Sequence, residues 1–369
     1  MPDIPRPTVK SRIPLPKIRR PKNLEPALLF HSIPPMLSLS PALTILARLF
    51  LTGLICPALV PAAPAQKPFQ VDSLRITLLS TNLAGNPGEG GIGEWGFSAL
   101  VEADGHKILF DTGHRADTVL NNARELKIDL SAVTDVVLSH HHEDHTGGLM
   151  TLRRAWSEKS PAALSRAHVG PGAFWSRGPG DFAGEGNLLI SIRPEFEATG
   201  GKFIEHHKPA EIAPGVWLTG PINRVFEEQR PMRNHVFAPD AAPTPDILPE
   251  DIALVIDTVK GLVVITGCGH AGLVNTLLQA QQAAGPDTPI YAAIGGFHLA
   301  GTADDRINWT AEKLSELGLQ HLHGAHCTGI APVYQIREKM GLARDEAHVG
   351  AVGATFDLKQ GISPLWIAR

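Results

Sequence analysis

The sequence has few cysteines, few aromatic residues and no long hydrophobic run. Three cysteines in 369 residues are too few for a disulfide scaffold. The apolar run Leu49–Val60 has twelve residues, fewer than the roughly 20 that a membrane-spanning helix needs, so we expect no stable membrane span. Hydrophobic residues make up 43% of the chain, which excludes a wholly disordered protein.

Basic charge is also scarce outside the N-terminal segment. Residues 1–65 carry eight lysines and arginines against two acids, whereas residues 66–369 carry a net charge of −10. A general nucleic-acid binder needs a basic excess in its folded part. We therefore expect no nucleic-acid partner and a small molecule as substrate, while the oligomeric state is left open.

Residues 1–65 differ in composition from the rest of the chain, and they hold 13 of the 31 prolines. A basic, proline-rich stretch precedes the apolar run 49–60 and then Ala63-Pro64-Ala65, which is the order of a signal peptide and its cleavage site. We predict a disordered or cleaved leader over 1–65 and one large domain over 66–369. The protein would be exported or periplasmic if the signal is real, and cytoplasmic otherwise. Translation could start at Met1 or at Met36.

The order of the predicted elements indicates an α/β protein with mixed sheets. β-rich runs at 74–79, 97–102 and 107–110 come first, and a hairpin signal, Asp-Gly, separates the last two. A second hairpin is predicted over 253–266, and strands and helices alternate after it. Residues 160–250 are rich in Gly and Pro and show few regular elements. Residues able to carry chemistry follow predicted strand ends, where α/β folds place their sites. These residues are Asp111, His140, Cys268, His270, His298 and His326.

Four histidines lie within six residues in the segment 140–145. Its His-x-His-x-Asp-His spacing offers imidazole nitrogens and a carboxylate, which bind zinc and similar divalent ions. Four ligands so close in the chain could bind one ion only with strain, so we predict two neighbouring ions. The residue types suit zinc best among the divalent metals. His140 and His142 would bind one, and Asp144 and His145 the other. Two such ions can hold a bridging hydroxide that is nucleophilic at neutral pH. A surface histidine run with weak metal affinity is the alternative.

Together with Phe110-Asp111-Thr112-Gly113, this histidine segment resembles the metallo-β-lactamase superfamily in motif order and spacing. The resemblance implies an αββα four-layer sandwich with a dinuclear site at one edge of its two sheets. It also implies that Asp111 accepts a hydrogen bond from a ligand imidazole and thereby fixes its tautomer. A turn-forming Asp-Thr-Gly is the alternative for this residue.

The superfamily adds further metal ligands later in the chain. The candidates that match are His270 for the first ion and His326 for the second. Where many members have a bridging aspartate, this chain has Cys268, which is either a thiolate ligand or a small buried residue beside the site, and we favour the latter. His298 could be a ligand, a proton donor to a leaving group, or a substrate contact.

Four segments indicate one subgroup within this superfamily. These segments are 94–100, 266–272, 295–299 and 326–329. They are similar to the subgroup labelled dihydropterin-ribofuranosylaminobenzene-phosphate synthase-like, over roughly residues 74–356. We predict a dinuclear zinc-type hydrolase acting on an ester, amide or phosphoester bond, with Asp144 orienting the hydroxide and His298 protonating the leaving group. The subgroup's transferase reaction, which joins a pterin methyl diphosphate to an arylamine, is the alternative. An iron oxidoreductase or a non-catalytic metal-binding protein is a third.

Overall fold

The structure is a computed structural model that describes residues 69–85, 91–179, 184–228 and 233–368. The predicted signal segment at 49–60 and the boundary at residue 65 lie outside these residues. The leader and the cellular location that follows from it therefore stay predictions. Among the described residues, no helix combines the length and the apolar character needed to cross a membrane.

The described residues form eighteen strands, seven α-helices and one 3-10 turn at His326–Thr328. The strands are β1 (Leu74–Ser80), β2 (Ser98–Ala103), β3 (His106–Phe110), β4 (Asp135–Val137), β5 (Arg166–Val169), β6 (Ser176–Gly178), β7 (Lys202–Glu205), β8 (Ala210–Ala213), β9 (Val216–Leu218), β10 (His235–Phe237), β11 (Thr244–Pro245), β12 (Leu254–Thr258), β13 (Gly261–Thr266), β14 (Ile290–Gly295), β15 (His321–Gly324), β16 (Ala347–Val349), β17 (Thr355–Asp357) and β18 (Gly361–Ser363). The helices are α1 (Thr118–Glu125), α2 (Glu143–Thr146), α3 (Leu149–Ser157), α4 (Leu188–Ala198), α5 (Leu273–Ala284), α6 (Asp304–Glu316) and α7 (Ile330–Met340).

Two large mixed sheets form the centre of the fold. The first has the strand order β18-β17-β1-β2-β3-β4-β5-β7, and the second has the order β16-β15-β14-β13-β12-β9-β8. A small third sheet pairs β11, β10 and β6. In the second sheet β13, β14, β15 and β16 are parallel, and α5, α6 and α7 connect them in turn. This alternation is the βαβ arrangement that the sequence predicted after the hairpin at 253–266, and that hairpin is formed by β12 and β13.

Three apolar clusters define the layers. Ile76 and Val101 of the first sheet pack with Ile256 and Ile294 of the second, so the two sheets enclose a common core. Leucine, valine and phenylalanine side chains on α1, α3 and α4 cover the outer face of the first sheet. Helices α5, α6 and α7 cover the outer face of the second, whose central strands are buried on both faces, as their Val- and Ile-rich sequences require. The predicted αββα sandwich is confirmed.

The structure differs from the sequence-based prediction mainly over residues 160–250. This region contains α4 and seven short strands, β5 to β11. The strands have only two to four residues, too few to show a clear period, and Pro194 lies inside α4, where proline normally ends a helix. Packing of Leu189 and Phe196 against the first sheet outweighs that local preference. Tertiary contacts therefore determine these elements more than local sequence does.

Candidate metal centre

Five strands bring the predicted site residues together at one edge of the two sheets. Each of β3, β4, β13, β14 and β15 ends just before one of them, so residues distant in sequence become neighbours. The residues that follow these strands are Asp111, His140, Cys268, His270, His298 and His326.

The possible metal-ligating atoms fall into two groups, and within each group they lie within 4.8 Å of one another. In the first group His140 Nε2 lies 3.0 Å from His142 Nδ1. In the second, His145 Nε2 lies 3.2 Å from the Cys268 Sγ. The rings of His140 and His145 lie 4.2 Å apart, so the groups adjoin. The first group consists of His140, His142 and His270, and the second of Asp144, His145, Cys268 and His326.

The donor atoms suit divalent cations such as zinc, which bind imidazole, carboxylate and thiolate. The Nε2 of His270 is buried and has no hydrogen-bond partner among the described residues, a costly state unless a ligand such as a cation occupies it. Burial and neighbouring histidines lower the pKa of His140 and His270 well below 6.5, and that of His142 to about 3. These three imidazoles are therefore neutral at pH 7, the form that binds a metal ion.

Asp111 is fully buried and supports the second group. Its Oδ2 accepts hydrogen bonds from His145 Nδ1 at 2.7 Å and from the Ser139 hydroxyl at 2.8 Å, and its Oδ1 accepts one from the Ser139 N–H at 2.7 Å. Burial alone would lower the pKa of His145, but the carboxylates of Asp111 and Asp144 outweigh it and raise this pKa to about 9. The surroundings of His145 therefore favour positive charge, and its Nε2 faces the other ligand atoms.

The structure brings Cys268 among the ligand atoms of the second group, although the sequence favoured a small buried residue beside the site. Burial and the nearby Cys327 raise the pKa of the Cys268 thiol well above 9.0. A bound cation would reverse this preference, because metal coordination deprotonates a thiol. The geometry favours the ligand role that the sequence had left open.

His298 belongs to neither group of ligand atoms. Its ring lies 4.5 Å from that of His270, and both line a cavity of about 290 Å³ together with Glu228 and Arg306. The backbone of His298 has a φ of 51°, and Asp111 and His326 also have positive φ angles, of 57° and 48°. Such angles cost energy in residues with a Cβ, so the surrounding contacts must hold these three residues in place.

A buried ionic network behind the site was not found by sequence reasoning. His141 is in neither ligand group, and its Nδ1 hydrogen-bonds Glu250. Glu250 also accepts from Arg177, whose side chain is fully buried and reaches Asp246 as well. Burial would raise the pKa of Glu250, but His141 and Arg177 outweigh it and lower this pKa. The network ties the histidine segment to the loop that precedes β12.

Comparison with known proteins identifies the family. A model of the metallo-beta-lactamase superfamily matches residues 96–279. A solved structure described as a metal-dependent hydrolase of the beta-lactamase superfamily is 30% identical, with a TM-score of 0.61, and the match covers 77% of this chain and 98% of that one. The chain belongs to the metallo-β-lactamase superfamily.

Curated relatives agree with the narrower resemblance. The 7,8-dihydropterin-6-methyl-4-(beta-D-ribofuranosyl)-aminobenzene-5'-phosphate synthase of Methanocaldococcus jannaschii is 29% identical over 290 residues, which are 77% of this chain and 97% of that protein. A hydroxyacylglutathione hydrolase of Xanthomonas axonopodis pv. citri is 43% identical over 60 residues, 16% of this chain and 22% of that protein. The similarity to the synthase spans most of the domain, whereas the similarity to this hydrolase is local.

Proposed function

We propose that the chain is a dinuclear, zinc-type metallohydrolase that cleaves an ester, amide or phosphoester bond of a small molecule. The observation that carries this proposal is the adjacency of two groups of ligand atoms, joined where the rings of His140 and His145 lie 4.2 Å apart. Two-metal hydrolases hold their ions about 3.5–4 Å apart, which requires adjoining ligand groups of this kind.

In this proposal each group holds one ion. His140, His142 and His270 would hold the first, and Asp144, His145, Cys268 and His326 the second. Nitrogen and sulfur donors favour zinc over magnesium or calcium. When bound, the pair supplies Lewis acidity and a water acidic enough to be a nucleophile at neutral pH.

The chain's own residues would orient the reactants. The Asp144 carboxylate lies 3.2 Å from His326 Nε2 and 3.7 Å from His145 Nε2, and its side chain is 16% exposed, so it can accept a hydrogen bond from a water at the open side. His298 lines the cavity next to His270, where its imidazole could hold the proton that a leaving group needs. These are the roles proposed for Asp144 and His298.

The charge of the cavity supports a substrate with little negative charge. Among the described residues that line it, the charged side chains are Glu227, Glu228 and Arg306. Glu228 accepts hydrogen bonds from the N–H groups of Val274 and Asn275, so its carboxylate already occupies the N-terminus of α5. A polyanionic substrate would meet two carboxylates there and one guanidinium.

The synthase reaction is the second candidate, and the relative from Methanocaldococcus jannaschii that is similar along nearly its whole length favours it. Its expected signature is release of pyrophosphate from a pterin methyl diphosphate in the presence of an arylamine. The two carboxylates of the cavity are unfavourable for a diphosphate at that position, whereas two bound cations beside His270 would offset them. Assays of both reactions on one metal-loaded sample separate the candidates.

The first test is metal analysis of the full chain, with assays on simple ester, lactam and phosphodiester substrates. We expect two zinc ions per chain and turnover of at least one substrate class. His142→Ala should lose the first ion and Asp144→Ala the second, each with loss of turnover and an intact fold. His207→Ala is the matched control, because the His207 side chain is 72% exposed and belongs to neither group.

Two metals in both variants would contradict the ligand assignment. Two metals without turnover of any simple substrate, combined with pyrophosphate release, would replace the hydrolase by the synthase. Absence of metal from the wild-type chain after exposure to zinc would exclude both.

A further inference from the structure

A large exposed aromatic side chain stands beside the second ligand group. Trp95 is 54% exposed, and its indole ring lies 4.8 Å from the ring of His326. Single exposed apolar residues are ordinary on protein surfaces and need no explanation. Trp95 differs from such residues because it contacts a candidate metal ligand, so a molecule bound at the ligand groups could also reach the indole.

The backbone on both sides of Trp95 is held firmly. Glu94 is buried, and its carboxylate accepts hydrogen bonds from the Ser80 hydroxyl at 2.9 Å and from the N–H groups of His114 and Arg115, both at 3.0 Å. On the other side, a Cβ added to Gly96 would lie 2.7 Å from the His114 nitrogen. The indole is therefore presented from a fixed backbone, so a ligand that stacks on it meets a preorganised surface.

The indole forms one wall of a small cavity. This cavity has a volume of about 150 Å³ and is lined by Trp95, His298, Ala300 and Cys327. An apolar protein cavity of about 150 Å³ is large enough to bind benzene. Of the four lining side chains only the His298 imidazole and the Cys327 thiol can ionise, so the indole and Ala300 leave an apolar wall for an uncharged group.

The small cavity adjoins the larger one at His298, which lines both. A substrate could therefore extend from the polar cavity of about 290 Å³ past the ligand groups to the indole face. Flat rings gain stacking energy on an indole beyond the burial of their area, which saturated rings of equal size do not.

We propose that Trp95 and the small cavity form a subsite for a planar aromatic ring of the substrate. The ring stacks on the indole while the bond to be cleaved lies at the two ligand groups. The subsite rests on the geometry of Trp95, and its place in catalysis rests on the proposed hydrolase.

Calorimetry on the zinc-loaded full chain tests the subsite without turnover. The probes are benzylphosphonate and cyclohexylmethylphosphonate, which share one anionic group and differ in the planarity of the ring. We expect the benzyl compound to bind about five-fold more tightly to the wild-type chain. The ratio of the two affinities should fall to about one in Trp95→Leu, and Trp95→Phe should retain part of the preference for the benzyl compound.

Trp366→Leu is the matched control, because Trp366 is 73% exposed and does not line this cavity, so the ratio should be unchanged. Equal affinity of the wild-type chain for both probes would overturn the subsite, as would an unchanged ratio in Trp95→Leu. Failure of the benzyl compound to bind the wild-type chain would overturn it too.

Kinetics with phenyl acetate and cyclohexyl acetate test the proposed hydrolase independently of the proposed subsite. We expect Trp95→Leu to raise KM for the phenyl ester about five-fold more than KM for the cyclohexyl ester, with little change in kcat for either. Absence of turnover of both esters would count against the hydrolase, while the calorimetric ratio would still decide the subsite.

Discussion

The Oδ2 of Asp111 and the Nδ1 of His145 lie 2.7 Å apart, and both side chains are fully buried. A carboxylate at this position holds a proton on Nδ1, so a bound cation would displace the proton of Nε2, which faces Asp144 and Cys268. Ser139 donates to both carboxylate oxygens, so Asp111 itself has little freedom to rotate. The orientation of one candidate ligand therefore depends on a residue that lies outside both groups of possible ligand atoms.

Asp111→Asn tests this dependence. The amide keeps the shape of the side chain but removes the charge and can turn an N–H towards His145, so we expect affinity for the second ion to fall about 10–100-fold. Zinc affinity is measured by competition with a chromogenic chelator. Asp129→Asn is the control, because Asp129 is an exposed carboxylate outside both groups. Equal zinc affinity of Asp111→Asn and wild type would show that the hydrogen bond does not orient a ligand.

Cys268→Ser distinguishes the two roles considered for Cys268. Its Sγ lies 3.2 Å from His145 Nε2, so we expect the serine variant to bind the second ion more weakly while keeping the first. Cobalt substitution provides a direct readout, since thiolate coordination gives a near-ultraviolet charge-transfer band that the variant should lose.

Cys327→Ser is the matched control for that experiment. The Cys327 Sγ contacts the Cys268 carbonyl oxygen and the His298 N–H, and Cys327 is in neither ligand group. We expect it to keep both ions and the charge-transfer band. Full metal content and an unchanged spectrum in Cys268→Ser would instead make Cys268 a small buried residue beside the site.

The candidate ligands could be predicted because the histidine segment 140–145 and the later candidates come after strands, which are visible as short β-rich runs in the sequence. Among such positions, His270 and His326 were chosen because they match the later ligands of the superfamily that the sequence resembles. The supporting network could not be found, because Glu250 lies 109 residues from His141 and nothing local marks it as a buried partner. The position of Trp95 likewise depends on a loop whose conformation is set by Glu94 and its distant donors.

Gly267→Ala tests how closely the backbone after β13 approaches Ser139 and Asp111. A Cβ at Gly267 would lie 2.0 Å from the Ser139 Oγ and 2.5 Å from the Asp111 Oδ2, so both groups would have to move. We expect a loss of about 1–3 kcal/mol in the free energy of unfolding, measured by urea denaturation, together with weaker zinc binding. The reason is that displaced Asp111 no longer holds His145.

Gly105→Ala is a control for a loss of stability that arises away from the site. Gly105 has a φ of 86° and an added Cβ there meets nothing within 4 Å, so the alanine costs only the strain of a left-handed residue, about 1–2 kcal/mol. Its zinc affinity should equal that of the wild type. A Gly267→Ala variant with wild-type zinc affinity would contradict the close approach.

A second histidine cluster, remote in the chain from the ligand groups, leads to a pH prediction. His168 lies between Asp135 and His206, with its Nε2 2.8 Å from the Asp135 Oδ1 and its Nδ1 2.9 Å from the His206 Nε2. Burial and the charges that His168 and His207 would carry lower the pKa of His206 to about 4. Arg166 also hydrogen-bonds Asp135, so the carboxylate is already paired without protonation of His206.

The sign of the effect follows from the lowered pKa. Between pH 6.5 and about 4 the unfolded chain binds a proton at His206 that the folded chain does not, so stability falls as the pH falls through this window. His206 is only half-buried, so after allowance for solvent screening we expect about 1 kcal/mol. His206→Gln should lack this part of the pH dependence. His207→Gln, at an exposed position, removes only the smallest of the three causes and should keep most of it. Urea unfolding at pH 7 and pH 4.5 measures the difference between the variants, which cancels the other titrating groups. Parallel pH profiles for His206→Gln and wild type would mean that His206 titrates alike in the folded and unfolded chains.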